Sequence, residues 1–167
     1  MDERSDRSVQ TSDQHSEHKY SFHWDLDFSL NIGETNKAFF DALERKEIRG
    51  TKCEECGDVF VPPRSVCPTC FVEADEWVDM DQRGVVESYT VCFFEFRNMP
   101  EPPYITAVIR VGESATCLLH FIEGIEYDDP EDLIGSIEKG TEVEPVWAEQ
   151  REGHIRDIDH FRPVEGT

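Results

Sequence analysis

Four of the six cysteines are spaced so that together they could bind one metal ion. Two residues separate Cys53 from Cys56 and Cys67 from Cys70, and ten residues lie between the two pairs. A tight turn of this kind presents both sulfurs to one centre, and two such turns complete the tetrahedron that Zn²⁺ adopts in structural sites. The spacing therefore predicts a closed, structural zinc site. Iron in a rubredoxin-like site would use the same four sulfurs and stays open. The alternatives to a metal are two disulfides, which are disfavoured in the cytoplasm, or four free thiols, and the paired spacing favours the metal over both.

The other two cysteines, Cys92 and Cys117, each stand in an apolar segment. The simpler interpretation is that both are buried core residues. A nucleophilic thiol would need a base beside it, and His120 is the candidate nearest to them in the sequence. The sequence has no HExxH or GxSxG motif and no glycine-rich phosphate loop. We therefore expect no catalysis by the isolated chain.

The chain carries a large excess of acidic residues. Its 167 residues include 37 Asp and Glu against 16 Lys and Arg, which gives a formal net charge of −21. Residues 71–167 alone hold 23 acidic and 7 basic residues, a net charge of −16. This composition argues against nucleic acids and anionic membranes as partners, since both are bound through clustered Lys and Arg. The N-terminal residues lack the apolar segment of a secretory signal, so we expect a cytoplasmic protein.

The sequence before the cysteines predicts a polar tail, a strand and a helix. Residues 1–19 are polar and low in aliphatic side chains, which predicts a disordered tail. Residues 20–30 alternate aromatic or leucine side chains with mostly polar ones, a pattern typical of a strand with one apolar face. Residues 35–49 have the amphipathic pattern of a helix, with Thr35 as its N-cap and Gly50 as its C-terminal stop. The pattern alone fits an ordinary helix packed on the core of its own chain as well as a helix that docks on a partner.

From Gly84 onward the sequence is typical of an all-β domain. Turn residues separate five segments of strand-like composition, which are VVESYTVCFFEF, YITAVIRV, TCLLHFI, TEVEPVW and HIRDIDHF. A short helix is predicted between the third and fourth strands, with Asp129 as its cap and Pro130 in its first turn. This order of elements is that of an OB-fold barrel. The predicted fold is therefore mainly β, with an N-terminal helix, a zinc ribbon at residues 51–80 and a five-stranded OB-fold domain at residues 81–167.

Several motifs in combination resemble one known family. They are the helix segment FFDALE, the cysteine segment GTKCEECGDVFVPPRSVCPTC, an acidic link that contains Trp77, the strand segments GVVESYTV and PPYITAVIRV, and the closing segment DIDHFRPV. Over residues 35–164 the chain resembles the domain of unknown function 35 family. The resemblance implies a rubredoxin-like zinc ribbon joined to an OB-fold domain.

The resemblance also implies the function of an accessory subunit. Members of this family accompany thiolase-fold enzymes, such as acetyl-CoA acetyltransferase-like thiolases and aldolases, and help to hold or channel the acyl-CoA. By analogy, catalysis would belong to the partner, the two chains would form a hetero-oligomer, and residues 20–50 would be the docking segment and helix. The side chains expected at that interface are Phe22, Trp24, Phe28, Phe39, Phe40 and Leu43. The bases expected to contact CoA or to line its channel are Lys52, Arg64 and Arg97.

A single-stranded nucleic-acid binder is the alternative from a different class. OB folds bind single strands through a basic groove and stacking aromatic side chains, and Phe93, Phe94 and Phe96 could stack on bases. Glu95 interrupts these aromatic residues, and the net charge of residues 71–167 opposes a phosphate backbone. The sequence therefore favours the accessory subunit of a thiolase-type complex, with neither nucleic acid nor membrane among its expected partners.

Overall fold

The computed structural model describes residues 28–164, and within this range one α-helix precedes eight β-strands. The helix and strands are α1 (Gly33–Glu44), β1 (Arg49–Lys52), β2 (Val59–Phe60), β3 (Glu76–Asp79), β4 (Gly84–Cys92), β5 (Tyr104–Val111), β6 (Leu118–Ile122), β7 (Glu142–Trp147) and β8 (Ile158–Pro163). Two short 3₁₀ helices span Pro130–Leu133 and Ile155–Asp157. No helix in this range is long and apolar enough to cross a membrane. The predicted tail and most of the strand predicted at residues 20–30 lie outside the described residues.

A three-stranded antiparallel sheet carries the two cysteine pairs. Its strand order is β2-β1-β3, and Thr51 at its centre lies opposite Phe60 on one side and Trp77 on the other. A small cluster of buried residues lies beside the sheet and consists of Cys53, Phe60, Cys67 and Ala74. Because β2 has two residues and this cluster is small, the ribbon alone buries little apolar surface.

The remaining five strands close into the barrel that their order predicts. The strand order around the barrel is β4-β5-β6-β8-β7, and neighbouring strands are antiparallel except β6 and β8, which run parallel. Burial alternates residue by residue along β5, as expected for a strand with one face in the core. The short helix expected after the third barrel strand is a four-residue 3₁₀ helix, and the Asp129 carboxylate accepts the N–H of Glu131 at 3.0 Å. The mainly-β prediction is confirmed.

The helix is shorter than predicted, and both of its ends differ from the prediction. Thr35 lies inside the first turn, and the N-cap position is taken by Ile32, whose side chain makes no capping hydrogen bond. The predicted end at residue 49 is wrong, because the chain turns at Lys46, which has a left-handed φ of +64°. Gly50 therefore does not stop the helix; it lies in β1.

The apolar side of α1 packs into the same core as the barrel. Phe39 and Leu43 are 1% and 0% exposed, and they belong to one cluster with Val61 and the inward-facing barrel side chains. Arg151, in the loop between β7 and β8, donates a hydrogen bond to the Glu44 carbonyl at 2.8 Å. This contact satisfies one of the carbonyl groups that a helix leaves open at its C-terminus. The helix is thus held to the barrel by apolar packing along one side and by a hydrogen bond at its C-terminal end.

Hydrogen bonds also join the ribbon to the barrel. The backbone N–H of Val61 donates to the Thr116 hydroxyl oxygen at 2.8 Å, and the same hydroxyl donates to the Val61 carbonyl at 2.9 Å. Beside them, the N–H of Ala115 donates to the Val59 carbonyl at 2.7 Å. Since Val61 is also fully buried in the main core, the ribbon and the barrel share polar and apolar contacts.

The loop that precedes β8 is organised by a buried carboxylate. The last strand was predicted to begin at His154, but residues 155–157 form a 3₁₀ helix instead. The Asp157 carboxylate accepts backbone N–H groups of Glu152 at 3.0 Å, Gly153 at 2.9 Å and His154 at 3.2 Å. These bonds fold the segment into a turn, so the strand starts only at Ile158.

Substitution of Gly50 by alanine tests how closely β1 approaches β2. A Cβ atom at this position would lie 2.8 Å from the Phe60 carbonyl oxygen and 2.9 Å from methyl groups of Val59 and Val61. Since the first of these neighbours is backbone, the sheet itself would have to shift. We expect Gly50→Ala to lower the free energy of unfolding by about 1–3 kcal/mol, measured by urea denaturation. A value within about 0.5 kcal/mol of the wild type would contradict this packing.

Candidate functional site

The fold brings the four paired cysteines together. Their sulfur atoms all lie within 4.8 Å of one another, and the Sγ atoms of Cys56 and Cys67 are 3.8 Å apart. A tetrahedral zinc ion with Zn–S bonds of about 2.3 Å holds its sulfurs about 3.8 Å apart, so this donor set fits the ion. The two turns have matching backbones: Gly57 N–H donates to the Cys53 carbonyl at 2.9 Å, and Phe71 N–H donates to the Cys67 carbonyl at 3.0 Å.

The surroundings of the four sulfurs shift the pKa values of Cys67 and Cys56 in opposite directions. The backbone N–H of Cys70 donates to Sγ of Cys67 at 3.4 Å, and this is the main reason why the pKa of Cys67 is lowered to about 7. The backbone N–H of Asp58 has the same effect on Cys56, but loss of solvent and hydrogen bonds with the other sulfurs raise the pKa of Cys56 to about 12. Four adjacent thiols do not readily ionise together, because the negative charges of the thiolates repel one another. A bound divalent cation would offset this repulsion and favour all four thiolates.

Phe71 follows the second cysteine pair and is the most exposed aromatic residue of the ribbon, at 82%. It has a left-handed φ of +60°, and the equivalent position after the first pair is Gly57, with a φ of +80°. A bulky side chain is uncommon in this region of backbone conformation. The turn after the second cysteine pair therefore places a phenylalanine, whose ring is exposed, at a position where the first turn has a glycine.

The three bases expected to contact CoA lie on three different elements. Lys52 is in β1, where its Nζ forms an ion pair with Glu76 at 3.1 Å. Arg64 lies between the cysteine pairs, where Thr51 Oγ1 accepts its N–H at 2.9 Å and donates to its carbonyl at 2.8 Å. Arg97 lies in the exposed turn between β4 and β5. Of the three, Arg64 lines a groove of about 490 Å³ beside the first turn of α1.

The helix residues expected to face a partner are mostly covered by the chain itself. Phe39 and Leu43 pack in the core, so they offer no surface for a partner, and their assignment to an interface is corrected. Phe40 is half-buried and stacks on the ring of His154, with ring centroids 6.2 Å apart. Phe28 is exposed in an irregular segment. Phe22 and Trp24 lie outside the described residues.

His120 lies inside the barrel and is fully hydrogen-bonded. Its Nδ1 accepts the N–H of Phe121 at 2.9 Å, which assigns the proton to Nε2, 3.3 Å from the Ile155 carbonyl. Burial lowers the pKa of His120, so the ring is neutral. With both nitrogens engaged, it is a core histidine and no base for a nucleophile. Burial also raises the pKa of the Cys117 thiol, which opposes the nucleophile interpretation for that cysteine.

The segment between β4 and β5 exposes a cluster of large apolar side chains. The first barrel strand was predicted to continue to Phe96, but it ends at Cys92. The exposed side chains that follow are Phe93, Phe94, Phe96 and Met99. We call residues 93–99 the aromatic loop. From the sequence these phenylalanines were considered only as stacking groups for nucleic acid, although three of them within four residues also signal a protein-binding loop.

The aromatic loop is tied to the neighbouring loop, residues 148–157. A guanidinium nitrogen of Arg156 donates to the carbonyl of Asn98, which has a left-handed φ of +63°. In OB folds, the loops between the first and second and between the fourth and fifth strands border the ligand-binding face. These are the positions of the two loops in this barrel.

Comparison with known proteins assigns the chain to a family. Residues 40–76 match the model of the ChsH2 rubredoxin-like zinc ribbon domain, and residues 77–148 match that of the ChsH2 C-terminal OB-fold domain. A DUF35 domain-containing scaffold protein of Methanothermobacter thermautotrophicus is 32% identical over 123 residues, which cover 71% of this chain and 85% of that protein. This chain belongs to the DUF35 family. The ribbon of this DUF35 protein is therefore a zinc ribbon, with its four cysteines positioned to bind the metal.

The chain is also similar to a solved structure and to a thiolase subunit. A solved structure described as an Ltp2-ChsH2(DUF35) aldolase is similar to the DUF35 protein with a TM-score of 0.59 and 26% identity, covering 81% of this chain and 98% of that chain. The benzoylsuccinyl-CoA thiolase subunit BbsA of Thauera aromatica is 31% identical over 67 residues, or 40% of this chain and 46% of that protein.

Metal analysis tests the cysteine site of the DUF35 protein directly. We expect the purified chain to contain one zinc ion per molecule by elemental mass spectrometry, and Cys67→Ser to lose it. Because the Val61–Thr116 bonds join ribbon to barrel, a strong chelator is expected to lower the melting temperature of the chain. Cys117→Ser is the matched control and should keep its zinc. A coloured, iron-containing protein or a metal-free chain of unchanged stability would contradict the assignment.

The buried imidazole predicts how stability depends on pH. Folding holds His120 neutral, whereas the unfolded chain binds a proton near the ordinary histidine pKa of about 6.5. The contribution of His120 is therefore fully present above that pH and is lost progressively as the pH falls below it. We expect the free energy of unfolding to decrease between pH 7 and pH 5, and His120→Gln to reduce that decrease. An identical slope in the variant would contradict the assigned protonation state.

Proposed function

We propose that this DUF35 protein is a non-catalytic subunit that binds a thiolase-fold enzyme and helps to hold or channel its acyl-CoA. The observation that carries the proposal is its similarity to a chain of the solved structure described as an Ltp2-ChsH2(DUF35) aldolase, together with the partial match to a thiolase subunit. The first similarity extends over nearly the whole of the matched chain, so it involves both the ribbon and the barrel.

The arrangement of the titratable groups supports an accessory role. Four cysteines are positioned to bind one metal ion, and four thiolates would complete its coordination and leave no position for substrate. His120 is buried and engaged at both nitrogens. The proposal therefore assigns the reacting groups to the partner.

Charge limits how the chain could contact an acyl-CoA. A net charge of −21 repels the phosphate groups of CoA, so a contact needs a local base. The proposal assigns this role to Arg64, because Thr51 fixes its backbone and because it lines a groove, which it shares with Val66 and the acidic Glu34. The proposal assigns the remaining phosphate contacts to the partner subunit.

Recovery of the full chain from its own host, at the salt concentration of that host, tests the proposal. We expect a thiolase-fold protein in near-stoichiometric amount, identified by mass spectrometry. With both proteins purified, acyl-CoA turnover should require the thiolase-fold subunit and increase when the DUF35 protein is added, and the DUF35 protein alone should show none. Absence of a thiolase-fold partner, or turnover by the isolated chain, would overturn the proposal.

The same acyl-CoA turnover assay tests whether Arg64 contacts the acyl-CoA. Arg64→Ala should raise the KM for the acyl-CoA severalfold without weakening the association of the two subunits. Arg162→Ala is the matched control, since Arg162 is an exposed arginine on β8 that forms an ion pair with Glu144 at 2.7 Å. An unchanged KM in Arg64→Ala would remove Arg64 from the CoA contacts while leaving the partner assignment intact.

A further inference from the structure

The aromatic loop leaves four large apolar side chains exposed to water. Phe94 is 73% exposed and Phe96 is 55% exposed, and the side chains of Phe93 and Met99 beside them are also open to water. These four large apolar side chains lie within seven residues of the chain, and exposed apolar side chains concentrated in this way mark interaction sites.

Three hydrogen bonds shape the backbone of the loop. The Arg156 guanidinium donates to the Asn98 carbonyl, and the N–H of Met99 donates to the Phe96 carbonyl at 3.2 Å, which closes a turn. At the start of the loop, the Cys92 thiol donates to the Phe94 carbonyl at 3.6 Å. A loop ordered in this way loses less conformational entropy when it binds, so its exposed aromatic side chains are suited to anchor a complex.

Charge identifies the kind of surface that would cover the patch. At the loop itself Glu95 and Glu101 are matched by Arg97 and by Arg156, whose guanidinium donates to the Asn98 carbonyl, but the whole region 71–167 has a net charge of −16. A second copy of the chain would bring the same acidic surface against this one, and a nucleic acid would bring phosphates. A protein surface with an apolar pocket bordered by Lys or Arg side chains is complementary in both polarity and charge.

We infer that the aromatic loop is the surface through which this chain docks on its protein partner, with Phe94 and Phe96 seated in an apolar pocket that has a basic border. The identity of that partner as a thiolase-fold enzyme rests on the proposed function. In this assignment, the loops that bind oligonucleotides or oligosaccharides in other OB folds bind the side chains of a protein.

Affinity measurements on the full chain and the purified thiolase-fold subunit test the inference. We expect Phe94→Ser to raise the Kd at least about tenfold, and Phe94→Ser with Phe96→Ser to raise it further, because aromatic anchors dominate interface energies. Glu95→Lys should also raise the Kd, by a factor that shrinks as salt is added. The matched control is Phe71→Ser, an exposed phenylalanine on the ribbon, which should leave the Kd within about twofold. Unchanged melting temperatures would show that each variant is folded.

Each other outcome overturns a defined part of the inference. If the wild type binds the thiolase-fold subunit and Phe94→Ser binds equally well, the loop assignment fails and the proposed function stands. An equal loss of affinity in Phe71→Ser would also overturn the assignment to this loop. If the wild type does not bind the subunit, the proposed function and the inference fail together. Binding of a labelled single-stranded RNA, or a dimer of the chain in sedimentation, that is lost in Phe94→Ser would replace the protein partner with that ligand.

Discussion

The arrangement of the described chain depends on the contact between Val61 and Thr116. Two hydrogen bonds through one hydroxyl group fix the end of β2 to the segment between β5 and β6, and the Val61 side chain lies in the main core. The ribbon has a two-residue strand and a small cluster of its own, so it gains its orientation from this contact. A metal ion held by the four cysteines would close the ribbon internally, and the Val61–Thr116 contact joins the ribbon to the barrel.

The helix, the ribbon and the barrel share one apolar core, and this determines which surfaces of the chain can bind a partner. α1 places Phe39 and Leu43 beside Val61, and Arg151 from the barrel satisfies the end of the helix. Releasing this helix to a partner would expose the core, which two buried side chains of this size would oppose by several kcal/mol. Docking is therefore assigned to groups that already face water, such as the exposed apolar side chains of the aromatic loop.

The parts of the structure that the sequence predicted were those with local causes. The paired spacing of Cys53, Cys56, Cys67 and Cys70 was enough to predict their convergence, because each pair closes its own turn. The alternation along β5 and the cap at Asp129 were equally local. The barrel order followed from counting strands around one short helix.

The parts that the sequence mispredicted depended on long-range contacts. The apolar side of α1 looks the same whether it packs on its own barrel or on a partner, so Phe39 and Leu43 were assigned to the wrong surface. Nothing near Lys46 signals a helix end, since the amphipathic pattern continues to residue 49; the chain turns there so that the next residues can form β1. Gly50 was interpreted as a helix stop, whereas the close approach of β2 explains why a side chain is excluded at that position.

The acidic surface of the chain complements its exposed apolar loop: the charge opposes self-association, and the loop binds a partner. The net charge of −21 opposes self-association of the chain through its exposed phenylalanines. The same charge selects against the phosphates that OB folds often bind, and it favours a partner whose binding site is basic at its edge. A thiolase-fold enzyme that must attract an anionic acyl-CoA would carry such bases, and the proposed complex thus places opposite charges on its two subunits.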